Sequence, residues 1–124
     1  MNSTNGYIYI IYNEMYNFYG DNVYKIGKSY DIYKRISGYT TSYIKPVEII
    51  FLSEECINYT LAEGYIFNKL NEFRLVNNRE FFKAPKQTII DIITTVINDV
   101  NKGVITHILS DRKSVLKVYK PIFI

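Results

Sequence analysis

Two segments near the N-terminus alternate apolar and polar positions with the period of a β-strand. Residues 7–13 read YIYIIYN and residues 23–29 read VYKIGKS, both rich in β-branched and aromatic side chains. Residues 13–22 lie between them and contain Gly20-Asp21, which is turn chemistry. The two segments are therefore expected to pair as an antiparallel hairpin with a long loop. Placing Ile8, Ile10 and Ile26 in the core puts Tyr9, Lys25 and Gly27 together on the opposite, solvent face. Pro46 opens a third strand over residues 47–53, VEIIFLS, because proline is tolerated at a strand's first position.

Helical periodicity takes over in three places. Asp31 is a capping residue for a short helix over 32–39, with Ile32 and Ile36 toward the sheet and Arg35 and Tyr39 on another face. Over 57–73, Tyr59, Ala62, Ile66, Leu70 and Phe73 fall on one stripe at helical spacing. Residues 79–82, REFF, look extended and are stopped by Pro85. Over 87–102, Ile89, Ile90, Ile93, Val96, Ile97 and Val100 form the clearest apolar face in the chain, with Gly103 as its stop signal. The fold class is α+β: a small, mostly antiparallel three-stranded sheet flanked by helices, with an extra C-terminal helix and an extended tail. One domain over 1–103 is followed by an extension over 104–124.

Composition narrows the picture without supplying a mechanism. A chain of 124 residues with 48% hydrophobic and 22% charged residues suits one globular domain. No apolar run reaches the roughly 18 residues of a membrane span, and the N-terminal residues lack the pattern of a secretory signal. The single Cys56 and single His107 exclude an intramolecular disulfide and a Cys/His zinc site within one chain, so an intracellular, reducing setting is expected. Ile, Asn, Tyr and Lys supply 56 residues against four Arg, a bias toward AT-rich codons that suggests a viral or parasitic source. A net charge of +3 permits an anionic partner without demanding one.

Few residues carry obvious chemistry. A glycine inside a strand, Gly27, marks close approach of a backbone or ligand. Arg35 is suited to gripping a phosphate bidentately. Glu63 lies about 60° from the centre of its helix's apolar stripe, where a carboxylate needs either a lysine partner or a metal. Cys56 and His107 read as structural, and there is no phosphate-cradling glycine loop.

The order GYIYII, then VYKIGKS, then Asp31 and Arg35, resembles the GIY-YIG nuclease domain, most of all its phage and large-DNA-virus branch with a YKIGK second motif. AEGYIFNKL and NNREFF extend the likeness, which runs from Gly6 to about Lys83. The resemblance implies a DNA endonuclease using one Mg²⁺ or Mn²⁺. It makes Tyr9 a general base or water-orienting residue and places Lys25 where relatives have the tyrosine of "YIG". It assigns Arg35 to the scissile phosphate, Tyr39 to a His or Tyr position and Glu63 to the metal. Gly27, Lys28, Arg35 and Asn78 become nucleic-acid contacts, and Glu80 the acidic residue of a later motif. Phe67 departs from a position that is often histidine in relatives, which bears on catalysis rather than on fold.

Two expectations follow. Lys25, sharing a face with Tyr9, should lower the phenol's pKa from its usual value near 10. Affinity for DNA should be modest and salt-dependent, with targeting supplied by dimerisation, a partner or the substrate's structure. The competing reading is a scaffold of this type that binds nucleic acid or another viral component without cutting.

Overall fold

Residues 5–42, 45–75 and 80–105 are described by the computed structural model. Among them are four strands and three α-helices: β1 (Tyr7–Asn13), β2 (Val23–Ser29), α1 (Ile32–Ser42), β3 (Val47–Leu52), α2 (Tyr59–Lys69), β4 (Phe81–Lys83) and α3 (Lys86–Asn101). The sheet has the order β3-β1-β2-β4 and is antiparallel throughout. The α+β class holds, with one strand more than expected. The extended REFF segment supplies it, because Phe81 and Phe82 pair with Lys25 and Tyr24 on the outer edge of β2.

One face of the sheet packs on helices. Ile8, Ile10 and Ile26 meet Leu61, Ala62, Ile66 and Leu70 of the α2 region and Ile89, Ile93, Val96, Ile97 and Val100 of α3. The apolar stripes read from periodicity are thus the buried ones. Asn58 caps α2, its side-chain oxygen accepting from the Leu61 N–H at 3.1 Å, so the helix starts two residues later than expected. It ends at Lys69 and gives way to a 3₁₀ turn over Asn71–Phe73. Asp31 accepts from the Lys34 N–H at 3.1 Å and starts α1 as its residue type predicts. Gly103 follows α3 with φ +78°, a left-handed conformation open to glycine.

The β1–β2 connection is more ordered than a plain turn. Glu14–Tyr19 form a 3₁₀ helix, which Asn13 caps by accepting from the Met15 N–H at 2.9 Å. Asn13 is itself buried, and its amide nitrogen donates to the carbonyls of Lys45 and Pro46 at 2.8 and 3.2 Å. One carboxamide therefore fastens the exit of β1, the 3₁₀ turn and the entry to β3. The β1–β3 register shifts between Ile10 and Ile11, leaving Ile50 as an extra residue on β3.

β1 is central and buried on both faces, so Tyr9 does not lie on a solvent face. Its exposure is 1%, and Ile11 is likewise buried. A Tyr9–Tyr39 edge contact, ring centroids 6.4 Å apart, brings α1 over the second face of the sheet. Strand periodicity separates the two faces correctly but cannot tell that both are covered. No helix among the described residues is long and apolar enough to cross a membrane. Asn78, His107 and residues 106–124 of the extension lie outside the described residues.

Candidate active site

β4 is short, so it covers only the first half of β2. Among the described residues its pairing ends at Lys25–Phe81, with one further bond from the Ile26 N–H to the Glu80 carbonyl at 3.0 Å. Beside the remaining part of β2 lies a pocket of about 170 Å³, lined by residues including Tyr9, Gly27, Lys28, Arg35, Glu63 and Glu80. Four regions meet there: the β1–β2 hairpin, α1, α2 and the approach to β4. A phenol, a guanidinium, an ammonium and two carboxylates share this lining, and the ammonium is that of Lys28 and not of Lys25.

Tyr9 reaches this edge because position 27 has no side chain. Tyr9 pairs directly with Gly27 across the hairpin. A Cβ on Gly27 would collide with the Tyr9 hydroxyl and with its ring carbons. The phenol therefore lies across the backbone of β2, and its oxygen shares a 2.8 Å hydrogen bond with the Tyr39 hydroxyl. Burial is the main reason the Tyr9 phenol is pushed well above its ordinary value of 10.0. The Tyr39 contact and Glu80 add to this, and the Arg35 guanidinium opposes it. Through the neutral range Tyr9 keeps its proton.

The expected help from Lys25 is not what the structure provides. The cation that pulls the phenol down is Arg35. The Lys25 ammonium instead bonds the Glu80 carboxylate at 2.5 Å and sits 5.2 Å from the Phe81 ring centroid and 6.0 Å from that of Tyr39. Edge strand β4 has brought a carboxylate and an aromatic wall to Lys25, which no local pattern around residue 25 announces. Arg35, by contrast, is exposed, lines the pocket and makes no ion pair among the described residues.

Glu63 projects from α2 to the same edge. Its side chain is 14% exposed and accepts from the Lys28 ammonium at 2.9 Å, while Lys28 is 34% exposed. Burial lifts the Glu63 carboxyl above its ordinary value of 4.5, and Glu80 adds to the rise. Lys28, with a smaller part from Lys25, pulls it down. The two options open for this margin carboxylate are thus partly resolved: it has a lysine partner. No group of three or more His, Cys, Asp or Glu side chains suited to a metal occurs among the described residues. The donor set still fits a hard divalent ion, because Mg²⁺ is usually held by one or two carboxylates together with substrate phosphate and water. Glu63 and Glu80 are the two carboxylates in the pocket lining.

Three residues gain a place that sequence reasoning did not give them. Tyr59 lines the pocket, and its ring is 5.9 Å from the Lys28 ammonium. Glu80, noted only as a motif residue, is both a lining carboxylate and the partner of Lys25. Arg74 lays its guanidinium over Phe67 and Phe82, at 5.0 and 5.3 Å, with its Nε buried and without a hydrogen-bond partner among the described residues. Burial depresses its pKa, and Glu80 and Glu63 oppose that. The departure at Phe67 thus coincides with a packing surface for a cation near the two carboxylates. The scarcity of arginine, four in the chain, is the sequence signal that gives each one weight.

Cys56 is buried, and its thiol is pushed up by that burial, the reverse of a nucleophile's requirement. Compared with known proteins, the chain matches the family model described as the T5orf172 domain over residues 6–97. No curated protein and no solved structure matches it.

Proposed function

The chain belongs to the T5orf172 domain family, and from that premise we propose that it is a divalent-metal-dependent endonuclease of the GIY-YIG type that hydrolyses DNA phosphodiester bonds. The observation that carries the proposal is the gathering of Tyr9, Lys28, Arg35 and Glu63 around one pocket of about 170 Å³. The space suits a phosphate group better than a large organic ligand, since pockets for drug-sized molecules are about 300–1,000 Å³.

Each side chain has a separable task. Arg35 binds the non-bridging phosphate oxygens and stabilises the charge that builds on them as water attacks phosphorus. Lys28 adds positive charge on the strand side of the same group. Tyr9 orients the attacking water by hydrogen bonding and does not serve as a base, because burial holds it protonated. Tyr39 fixes the direction of that phenol through their shared hydrogen bond. Glu63, with Glu80 beside it, is the carboxylate that would hold Mg²⁺ or Mn²⁺, and the bound ion supplies charge stabilisation at the departing 3′ oxygen.

A plasmid-nicking assay tests this directly. Wild-type protein should convert supercoiled DNA only with Mg²⁺ or Mn²⁺, and Glu63→Gln and Arg35→Ala should each lose the activity while remaining folded. Cutting that survives both substitutions overturns the proposal. One observation favours a second reading, a module that binds nucleic acid without cutting: Lys28 occupies the carboxylate that a metal would use. Metal-independent DNA binding with no nicking in either ion selects that reading.

A further inference from the structure

The two lysines of β2 pair with carboxylates in different ways. Lys25 is enclosed, 14% exposed, between the Phe81 and Tyr39 rings and Glu80. Lys28 is 34% exposed on the part of the strand beyond its pairing with β4, and its partner Glu63 is the more buried member of the pair. Lys28 and Arg35 line the same pocket, so a phosphate held by Arg35 lies within the sweep of the flexible Lys28 side chain. Glu63 and Lys28 thus neutralise each other in the free protein, although each is the natural partner of a different part of the reacting complex.

We propose that the Lys28–Glu63 ion pair is a latch that a phosphodiester opens: the phosphate draws the Lys28 ammonium away, and Glu63 is thereby released to a divalent cation. The inference rests on the nuclease reading of the pocket and deepens it, since it sets how metal and DNA depend on one another. In the free protein Lys25, Lys28 and Arg35 outnumber Glu63 and Glu80, so an added cation meets a site that is already positive. A phosphodiester, with one negative charge, cancels that excess and engages the competing ammonium. Metal uptake and DNA binding should therefore strengthen each other equally, as linkage requires.

The measurement is Mn²⁺ affinity by electron paramagnetic resonance at pH 8, with and without a short phosphorothioate oligonucleotide that resists cleavage. Wild type should bind Mn²⁺ about tenfold more tightly with the oligonucleotide, within the usual range of coupled sites. An ion that merely bridges phosphate and carboxylate gives the same coupling, so the variants decide. Lys28→Met should bind Mn²⁺ more tightly than wild type without oligonucleotide, by about fivefold, and should lose most of the coupling. Glu63→Gln should bind the oligonucleotide more tightly than wild type in the absence of metal, because its lysine is free. Unchanged or weaker Mn²⁺ binding in Lys28→Met, or no gain in Glu63→Gln, overturns the latch; should Lys28→Met not fold, the Glu63→Gln arm alone decides. Parallel nicking assays separate the two proposals. Nicking without these shifts rejects the latch and keeps the nuclease, whereas the shifts without nicking do the reverse.

Discussion

The helix-packed face of the sheet and the edge of β2 beyond its pairing with β4 solve opposite problems with the same strands. On the packed face, aliphatic side chains from β1, β2, α2 and α3 are removed from water almost completely. At the edge, charges are held two by two at partial exposure, in the pairs Lys25–Glu80 and Lys28–Glu63. The first arrangement is redundant, since many contacts of similar strength share the load. The second is not, since each paired charge relies on a single ionic partner and Arg35 beside them has none among the described residues. Stability is thus concentrated on one side of β2, and the candidate site lies beyond the end of its pairing with β4.

The sharpest way to break this division is to damage the packed face. Ile93→Ala, at a fully buried position, should cost about 2–5 kcal/mol in urea unfolding and lower nicking only as far as it lowers the folded fraction. Arg35→Ala should do the converse. Nicking should fall by about 10²–10³-fold, the usual loss for one transition-state donor, with the urea midpoint nearly unchanged. Gly27→Ala joins the two regions, because its Cβ meets the Tyr9 ring and hydroxyl. It should destabilise by about 1–3 kcal/mol and also displace the phenol, so that activity falls by more than the folded fraction explains.

A smaller effect separates the regions by pH. The Glu63 carboxyl is raised in the folded protein, so the stability it contributes is full below its unfolded value of 4.5 and is lost as pH rises through the higher folded value. Wild type should therefore lose stability relative to Glu63→Gln as pH climbs from 4.5 toward neutrality, read from the difference in Tm. A matching slope in both proteins would show that the edge carboxylate is as well solvated as a surface one. The smallest expected change is Asn58→Ala, about 1 kcal/mol from the lost cap of α2, with Mn²⁺-dependent nicking retained.

Most of the fold was legible because its signals are local. The stripe from Ile89 to Val100 reports its own burial, and Asp31 and Gly103 mark helix ends by their side chains or lack of one. Gly27 was legible as a point of close approach, although not as the point over which a phenol passes. What stayed hidden depends on partners distant in sequence. The burial of Tyr9 comes from Tyr39, thirty positions away. Strand alternation already sets Lys25 and Lys28 on opposite faces of β2, but the carboxylate each one meets, Glu80 or Glu63, lies 55 or 35 residues away. Glu63 was identified from its angle on the helix, but the choice between lysine and metal needed the opposing strand.

The carboxamide of Asn13 has a consequence for the far end of its strand. A slide of β1 by one residue against β3 would break its bonds to Lys45 and Pro46 together, and would turn Tyr9 from one side of the sheet to the other. Asn13 acts as an index pin: it sits at the opposite end of β1 from the chemistry, yet it sets the notch in which the phenol comes to rest.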